Sequence, residues 1–214
     1  MAASSKAICV GKNYEKHARE MGDMTTSRGD PIIFLKPSSS YLHQGSPILL
    51  PKGAQVHHEV ELGVIIGGAS AVRNVSVKDA MQYVQGYLCC LDMTARNWQS
   101  TAASKGEPWT LAKGCDTFLP MSEEIPKDRI PDPHNVEVWL KVNGEYRQRG
   151  NTKDMIFSIP EVISYTSRYI TLYPGDLILT GTPEGVGPVY DGDIIQAGIT
   201  DIVEMQFLCK AKTE

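Results

Sequence analysis

The sequence predicts a strand-dominated α+β fold with a few short helices. Apolar residues alternate strictly over 136–142 and lead into Asn143-Gly144, a pair typical of a two-residue β-hairpin. Compact apolar runs typical of buried strands recur along the chain at 6–10 (KAICV), 31–35 (PIIFL), 86–91 (GYLCCL) and 177–180 (LILT). The helical patterns between them are brief, which limits the helical share of the fold.

The first half of the chain holds two predicted helices. One is expected over 13–21, and the polar segment 23–30 that follows it is expected to be mobile. The second begins at 76–79 (SVKD), which resembles a capping box, and continues as a helical stripe of apolar residues up to Val84.

The second half adds one helix and a strand-rich tail. Ser158 and Glu161 have the spacing of a capping box and predict a helix start. A glycine-rich segment at 181–187 follows the buried strand at 177–180. Two further strands are expected over 193–209, with a turn at Gly198.

Composition limits the classes of protein that the chain can represent. Its 214 residues suffice for one substantial core, and we expect one domain over 1–214. The net charge of -4 and the absence of a dense Lys/Arg run disfavour nucleic acid and anionic membranes as partners. No apolar run approaches the ~18 residues of a membrane-spanning helix. The five cysteines form no C-x-x-C pair and are expected to be free thiols in a reducing, intracellular compartment.

Two glutamates in the segment 57–66 (HHEVELGVII) are the first candidates for a functional site. On a strand, Glu59 and Glu61 would point to the same face, because side chains alternate. Two covered carboxylates repel each other unless a cation lies between them, and oxygen ligands favour Mg²⁺, Ca²⁺ or Mn²⁺. The pair alone is equally compatible with an edge strand that exposes both glutamates to water.

A third acid strengthens the metal hypothesis. Asp92 follows the apolar strand at 86–91, at a strand–loop junction where site residues are common. With Glu59 and Glu61 it supplies three hard oxygen ligands and leaves coordination positions for water or substrate. The alternative for Asp92 is a helix cap for the segment 94–99.

Four segments, in order, resemble the signatures of the fumarylacetoacetate hydrolase family, in its short single-domain branch. They are 57–62 (HHEVEL), 91–96 (LDMTAR), 108–113 (PWTLAK) and 179–187 (LTGTPEGVG), within a resemblance that covers about 7–207. The resemblance implies a mixed β-sandwich roll with short peripheral helices, and a homodimer. It also implies that Glu59, Glu61 and Asp92 bind Mg²⁺, with Mn²⁺ as the alternative.

The implied activity is hydrolysis of acylpyruvates together with decarboxylation or keto–enol tautomerisation of oxaloacetate. A metal on the keto oxygen of a 2-keto or 2,4-dioxo acid would stabilise the pyruvate enolate that both reactions form. Isomerisation or dehydration of hydroxymuconate-type or sugar-derived keto acids is the alternative within enzymes. A non-catalytic domain with a purely structural ion is the alternative outside them.

Three residues are expected to be catalytic. His17 and Glu20 are neighbours on a helix face, and the resemblance implies that they activate water for attack on the acyl carbonyl. Lys113 lies among apolar residues and must find an anion, and by resemblance it stabilises the oxyanion or moves the C3 proton.

Five residues are expected to contact substrate. The resemblance places Lys12 where relatives commonly carry arginine, so the charge is kept without bidentate recognition. Lys36 follows a buried strand and is either a substrate contact or a strand-end charge. Gln99 is expected at the distal end of the substrate, and the Gly181 and Thr182 donors are expected to hold its carboxylate, although a plain turn is the alternative there.

Two expectations concern the other histidines and the cell compartment. His58 is predicted to be a hydrogen-bonded core histidine and His57 to lie behind the metal ligands, while His43 and His134 are expected to be structural. The resemblance implies a mitochondrial protein, whereas the sequence as it stands shows no targeting segment and would be cytosolic.

Overall fold

The computed structural model of the protein describes residues 6–20, 22 and 29–212. The predicted mobile segment therefore lies, over 23–28, outside the described residues, as does Met21 at the end of the first predicted helix. Strands outnumber helices in the part of the chain that is described, which confirms the strand-dominated α+β prediction. No helix among these residues is long and apolar enough to span a membrane.

The largest sheet is mixed and has six strands, numbered here in chain order through the molecule. Their spatial order is β10 (Ile125–Pro126), β7 (Val84–Leu91), β6 (Val60–Ile66), β13 (Leu177–Leu179), β1 (Lys6–Gly11) and β2 (Ile32–Pro37). Every residue of β6 is buried, because this strand lies inside the sheet with both faces covered. β6 pairs antiparallel with β7, so the start of β6 meets the end of β7.

A second sheet of five strands packs against the first. Its order is β12 (Glu145–Asn151), β11 (Glu137–Val142), β15 (Ile194–Ile199), β16 (Val203–Ala211) and β4 (Ile48–Leu50). β11 and β12 form the predicted hairpin, and both turn residues have positive φ, 52° at Asn143 and 82° at Gly144. These dihedrals are typical of a type I′ turn and confirm the prediction.

Two small sheets, four α-helices and four short 3₁₀ turns complete the described elements. The small sheets are β14 (Gly187–Pro188), β5 (Val56–His58) and β8 (Thr94–Ala95), and the pair β3 (Tyr41–Leu42) and β9 (Leu119–Pro120). The helices are α1 (Glu15–Glu20), α2 (Arg96–Lys105), α3 (Thr110–Lys113) and α4 (Ile159–Ser167). Glu161 accepts a hydrogen bond from the Ser158 backbone N–H at 2.8 Å, which confirms the predicted capping box.

The main core lies between the two large sheets. Apolar side chains from β6 and β7 pack with those of β11, β15 and β16, as in a sandwich. Representative buried residues from each side are Leu62, Leu91, Leu140 and Phe207. This packing supports the end of the six-stranded sheet where β6 begins and β7 ends, and the candidate acids lie there.

Two local predictions were wrong. The stretch 76–84 forms only a 3₁₀ turn over Ala80–Tyr83, and Val84 already begins β7. Gly198 lies inside β15 instead of in a turn, and the chain reverses at 200–202. A Cβ at Gly198 would lie 2.4 Å from the Val203 carbonyl oxygen and 2.9 Å from the Trp139 ring, so close packing explains this glycine.

The segment 57–66 is also not one continuous strand. β5 ends at His58 and β6 begins at Val60, so Glu59 lies at the junction between two sheets. Alternation still places Glu59 and Glu61 on one side, because the bond from the Asp92 N–H to the Glu59 carbonyl continues the pairing of β6 with β7 by one residue. The two carboxylates therefore lie together as predicted, with oxygen atoms within 4.8 Å of one another.

Candidate active site

Three buried carboxylates meet where β6 begins and β7 ends. Oxygen atoms of Glu59, Glu61 and Asp92 all lie within 4.8 Å of one another. The Asp92 N–H donates to the Glu59 carbonyl at 2.9 Å, which ties the two strand ends together. Glu59 and Glu61 are only 4% and 1% exposed, so neither glutamate is solvated as the edge-strand alternative requires. α2 begins only at Arg96, so Asp92 is not its cap.

Neighbouring groups orient each carboxylate differently. Glu61 Oε2 accepts from the Gly181 N–H at 2.6 Å. Glu59 Oε1 accepts from the Thr94 hydroxyl at 3.0 Å and from the Arg96 guanidinium. Asp92 Oδ1 is buried and faces the Lys36 ammonium at 2.8 Å.

The electrostatic balance of the three acids is uneven. Burial would raise the pKa of Glu59, but the Lys113 ammonium and the Arg96 guanidinium override it and hold that pKa well below its usual range. Burial, together with the charges of Asp92 and Glu59, raises the pKa of Glu61 well above its usual range. The cluster therefore lacks positive charge on the side of Glu61.

A divalent cation fits this donor set. Glu61 is a buried carboxylate whose ionised form is disfavoured by burial and by the charges of Asp92 and Glu59. Three carboxylate donors suit a hard ion such as Mg²⁺ or Mn²⁺, and a cation would stabilise the ionised form of Glu61.

Lys113 at the end of α3 reaches into the acid cluster. Its Nζ lies 2.9 Å from Glu59 Oε2 and 2.6 Å from Asp92 Oδ2, and 4.8 Å from the centroid of the Phe34 ring. Burial alone would lower the pKa of Lys113, but the Asp92 and Glu59 carboxylates outweigh it and raise the pKa. The amine is therefore a buried, protonated donor beside the acids.

Lys36 is held in a way that disagrees with a substrate contact. Its Nζ donates to the backbone carbonyls of Met93 at 3.0 Å and Phe118 at 2.9 Å, and to that of Lys113. It also lies 2.8 Å from Asp92 Oδ1, and the residue is 0% exposed. Three N–H bonds are thus already used on the protein, which corrects the expectation that Lys36 binds substrate.

His17 and Glu20 pair on α1. His17 Nδ1 lies 3.1 Å from Glu20 Oε2, and His17 is nearly buried while Glu20 is partly exposed. The other oxygen of Glu20 accepts from the Gly185 N–H at 3.2 Å. Glu20 therefore bridges His17 and the loop 181–187.

The loop 181–187 anchors the protein instead of offering the donors expected from its sequence. The Gly181 N–H is used by Glu61, and the Thr182 hydroxyl donates to the Val60 carbonyl at 2.8 Å. These protons are not available to a substrate carboxylate, which corrects the expectation for Gly181 and for the Thr182 hydroxyl. Thr182 still lines the cleft with its surface.

A cleft of about 230 Å³ opens above the acids. Its wall combines charged and polar groups with an aromatic and aliphatic side, where Phe34 and Trp109 meet edge to face at 5.7 Å between ring centroids. The residues predicted as site residues that line it are Lys12, His17, Glu59, Glu61, Asp92, Gln99, Lys113 and Thr182. Lys36, Glu20 and Gly181 do not belong to this lining, and each contacts a residue that does.

Arg96 is a cleft residue that the sequence analysis left without a role. Its guanidinium bonds Glu59 and the Gln99 side-chain oxygen, while its Nε is buried without a hydrogen-bond partner. Arg96 follows Asp92 by four residues, at the start of the helix after the strand. This spacing is the sequence signal that could have identified it. Arg96 and Gln99 together present a cation and an amide to the cleft.

The remaining histidines and cysteines lie outside the cleft lining. His58 is 0% exposed and its Nδ1 lies 2.9 Å from Gln148 Oε1, which confirms a hydrogen-bonded core histidine. His134 Nε2 accepts from the Ile159 N–H at 3.1 Å at the start of α4. Burial, with help from Arg96, lowers the pKa of His57 to about 4. All five cysteines are free, as predicted.

The fold and the site define a class of protein: a strand-dominated α+β enzyme with a buried carboxylate cluster at the base of a cleft. Comparison with known proteins narrows this class. The sequence model for the C-terminal part of fumarylacetoacetate (FAA) hydrolase matches residues 6–208. The chain belongs to the fumarylacetoacetate hydrolase family, as its motifs indicate.

Curated relatives cover nearly the whole chain. The human protein named oxaloacetate tautomerase FAHD1, mitochondrial, is 54% identical over 201 residues, which are 94% of this chain and 89% of the relative. The Dictyostelium discoideum protein named oxaloacetate decarboxylase, mitochondrial, is 52% identical over 205 residues, which are 94% and 92% of the two chains. This chain is thus an enzyme of the family with tautomerase and decarboxylase relatives.

Solved structures share the fold. Fumarylpyruvate hydrolase from Pseudomonas aeruginosa, in complex with Mn²⁺ and pyruvate, is 35% identical with a TM-score of 0.89, over 98% of this chain and 91% of that one. A 5-carboxymethyl-2-hydroxymuconate delta-isomerase from Mycobacterium smegmatis is 40% identical with a TM-score of 0.86, over 99% and 80%. Hydrolases and isomerases therefore share this architecture.

Proposed function

We propose that this chain acts on short 2-keto and 2,4-dioxo acids with a bound Mg²⁺ or Mn²⁺. The reactions are keto–enol tautomerisation or decarboxylation of oxaloacetate and hydrolysis of acylpyruvates. The observation that carries the proposal is the cluster of three buried carboxylates at the base of a cleft that Lys113 and His17 also line. The names of the tautomerase and decarboxylase relatives and of the Mn²⁺- and pyruvate-bound hydrolase support the substrate class.

Glu59, Glu61 and Asp92 would hold the cation. When bound, the ion supplies Lewis-acid stabilisation for the negative charge that develops on the keto oxygen. The chain itself orients the ligands, with the Gly181 N–H on Glu61 and the Thr94 hydroxyl on Glu59. Such supporting bonds commonly affect metal affinity by about 10- to 100-fold.

Lys113 would move the proton at C3. Its pKa is raised by Asp92 and Glu59, so it holds a proton at neutral pH. Tautomerisation to the keto form, decarboxylation of oxaloacetate and cleavage of an acylpyruvate all require a proton on C3 of an enol or enolate. One protonated amine beside the acids serves all three reactions.

His17 and Glu20 would be used in hydrolysis alone. Glu20 engages His17 Nδ1, so Nε2 is the ring nitrogen left to take a proton from water. The resulting hydroxide attacks the acyl carbonyl of the acylpyruvate. Tautomerisation and decarboxylation need no such nucleophile, so the pair favours hydrolysis as part of the activity.

Lys12, Arg96 and Gln99 would bind the polar ends of the substrate. All three line the cleft, where the two cations offer charge to a carboxylate and the amide offers a hydrogen bond. Isomerisation of a hydroxymuconate-type acid is the second candidate function, because the 40% identical isomerase shares the fold. The His17–Glu20 pair favours hydrolysis over this candidate, since a pure isomerase needs no activated water.

Three further properties belong to the proposal. We expect residues 1–214 to form one catalytic domain, since the family match extends over 6–208. We expect a homodimer by resemblance to the family. We expect a mitochondrial location, because the relatives from animals, Arabidopsis thaliana and Dictyostelium discoideum carry that word in their names.

The test is the metal dependence of turnover in wild type and Glu61→Ala. Loss of acetylpyruvate absorbance and conversion of enol-oxaloacetate are followed with Mg²⁺, with Mn²⁺ and after chelation. Glu61→Ala should lower both rates on the order of 10²-fold or more, while Glu204→Ala at an exposed position of β16 should leave them unchanged. Wild-type rates in Glu61→Ala would overturn the proposal.

A further inference from the structure

A glutamine from the second large sheet makes four hydrogen bonds beside the site. Gln148 Oε1 accepts from the Val60 N–H at 3.1 Å and lies 2.9 Å from His58 Nδ1. Its Nε2 donates to the Thr182 hydroxyl at 2.8 Å and to the Pro183 carbonyl at 2.9 Å. The residue is 1% exposed, and its amide is saturated.

These four bonds join two parts of the site. His58 and Val60 flank Glu59 on the metal-ligand segment, whereas Thr182 and Pro183 belong to the loop 181–187. One half of the amide therefore holds the ligand segment and the other half holds the loop. Gln148 itself contacts none of the three acids and does not line the cleft.

A bulge in β12 brings this side chain inward. Leu140 pairs with Gln148 and Lys141 pairs with Tyr146, which leaves Arg147 as an extra residue. An extra residue of this kind bends a strand and redirects the side chains after it. In β12 Gln148 is buried, whereas Arg147 and Arg149 on either side are exposed.

The backbone around Gln148 also fits the loop closely. A Cβ on Gly150 would lie 2.4 Å from Pro183 Cβ, and a Cβ on Gly185 would lie 2.2 Å from the Arg147 carbonyl oxygen. Both approaches are possible only because glycine has no side chain. Residues 147–150 thus form a platform on which the loop 181–187 rests.

The loop in turn holds two groups of the site. The Gly181 N–H binds Glu61, and the Gly185 N–H binds Glu20, the partner of His17. The position of the loop therefore sets the orientation of a metal-ligand candidate and of the His17–Glu20 pair together.

We propose that Gln148 is a positioning residue that docks the loop 181–187 onto the metal-ligand segment and so aligns Glu61 and Glu20. The inference rests on the proposed function for the meaning of those two residues. The β12 bulge would then serve the reaction as well as the sheet, because it turns Gln148 toward the loop and the metal-ligand segment.

Gln148→Glu is the sharpest variant, because it keeps the size of the side chain and replaces its NH₂ donor by an oxygen, and the charge that it adds is matched in the control. The carboxylate keeps the size and the acceptor toward Val60 and His58, but it cannot donate to Thr182 or Pro183. Gln206→Glu on β16 makes the same chemical change at an exposed position and is the matched control. Circular dichroism and a thermal melt establish that each variant is folded.

Three readouts separate positioning from general stability. Amide hydrogen exchange at Gly181 and Gly185 should speed up about tenfold, the equivalent of one lost hydrogen bond. Mn²⁺ binding followed by electron paramagnetic resonance should weaken by about 10- to 100-fold. Acetylpyruvate hydrolysis should fall further than oxaloacetate tautomerisation, because the former also needs Glu20. Gln206→Glu should match wild type in all three.

A folded Gln148→Glu with wild-type exchange, Mn²⁺ affinity and rate ratio would overturn the inference. If Gln148→Glu does not fold, Gly150→Ala carries the same three measurements, because its methyl group displaces Pro183 while Gln148 stays. Failure of both variants to fold would show that the platform serves folding instead of positioning. If wild type turns over neither substrate, the proposed function fails, while the exchange and Mn²⁺ measurements still decide the role of Gln148.

Discussion

Lys36 and Asp92 form an ion pair of 2.8 Å in which both side chains are inaccessible to solvent. The same ammonium bonds the carbonyls of Met93 and Phe118 and that of Lys113. Asp92 and Lys113 are candidates for metal binding and proton transfer. Lys36 lies outside the cleft lining and links the backbone segments that carry Asp92 and Lys113.

Lys36→Met should destabilise the protein strongly. It removes a buried cation, leaves the Asp92 charge with one partner fewer and frees three buried carbonyls. Breaking a buried pair in this way costs about 3–5 kcal/mol of unfolding free energy. Urea denaturation measures it, with the exposed Lys78→Met as a control expected within about 0.5 kcal/mol of wild type. A loss below about 1 kcal/mol would show that the pair does not hold the segments together.

His17→Ala should separate the two proposed activities. Hydrolysis of acetylpyruvate should fall on the order of 10²–10⁴-fold, the usual contribution of a general base. Decarboxylation and tautomerisation of oxaloacetate should stay within a few-fold of wild type, because they need no hydroxide. Both are measured on the same preparation by product analysis.

The control for this variant lies on the same helix. Arg19 pairs with Glu15 at 2.7 Å on the exposed side of α1, and such surface pairs contribute little. Arg19→Ala should leave both activities at wild-type levels. Equal loss of hydrolysis and tautomerisation in His17→Ala would contradict the water-activation role.

Glu61→Gln should stabilise the metal-free protein and destabilise the metal-loaded one in comparison with wild type. Burial and the charges of Asp92 and Glu59 raise the pKa of Glu61 above its ordinary value of 4.5 in the folded state. Above pH 4.5 the unfolded chain therefore binds fewer protons at this group than the folded chain does, and wild type loses stability as the pH rises. Each pKa unit corresponds to about 1.4 kcal/mol.

The measurement is urea denaturation at several pH values, with a chelator and with Mn²⁺. In chelator, Glu61→Gln should be the more stable protein at pH 7, and the difference should vanish as the pH falls below 4.5. At a Mn²⁺ concentration of 100 times Kd, wild type should gain about 2.7 kcal/mol, and the variant much less. Mn²⁺ stabilisation that is equal in both proteins would exclude Glu61 as a ligand.

The fold was predictable where the signal is local. Positive φ at Asn143 and Gly144 and the capping bonds of Ser158 and Glu161 depend on residues close in sequence. Asp92 could be grouped with the two glutamates because it ends an apolar strand. Gly198 misled the prediction, since glycine marks a turn and a tight packing contact equally well.

The parts of the site that were missed depend on contacts between distant segments. Lys36 reads as a strand-end charge until the carbonyl of Phe118, 82 residues away, is placed beside it. In the sequence, Gln148 is an ordinary position of a predicted hairpin strand. In the structure its four bonds reach the segments around Val60 and Thr182. The donors of Gly181 and Thr182 were assigned to substrate because nothing local shows that Glu61 and Val60 already use them.

The change of sheet at Glu59 has a mechanical consequence. Glu59 follows β5 of the three-stranded sheet, whereas Glu61 lies within β6 of the six-stranded sheet. An ion bound by both carboxylates would link the three-stranded sheet to the six-stranded sheet at this point, where only Val60 separates the two ligands. Mg²⁺ holds its ligands at about 2.0–2.1 Å, so a bound ion would also restrict how far the end of β5 can move from the start of β6.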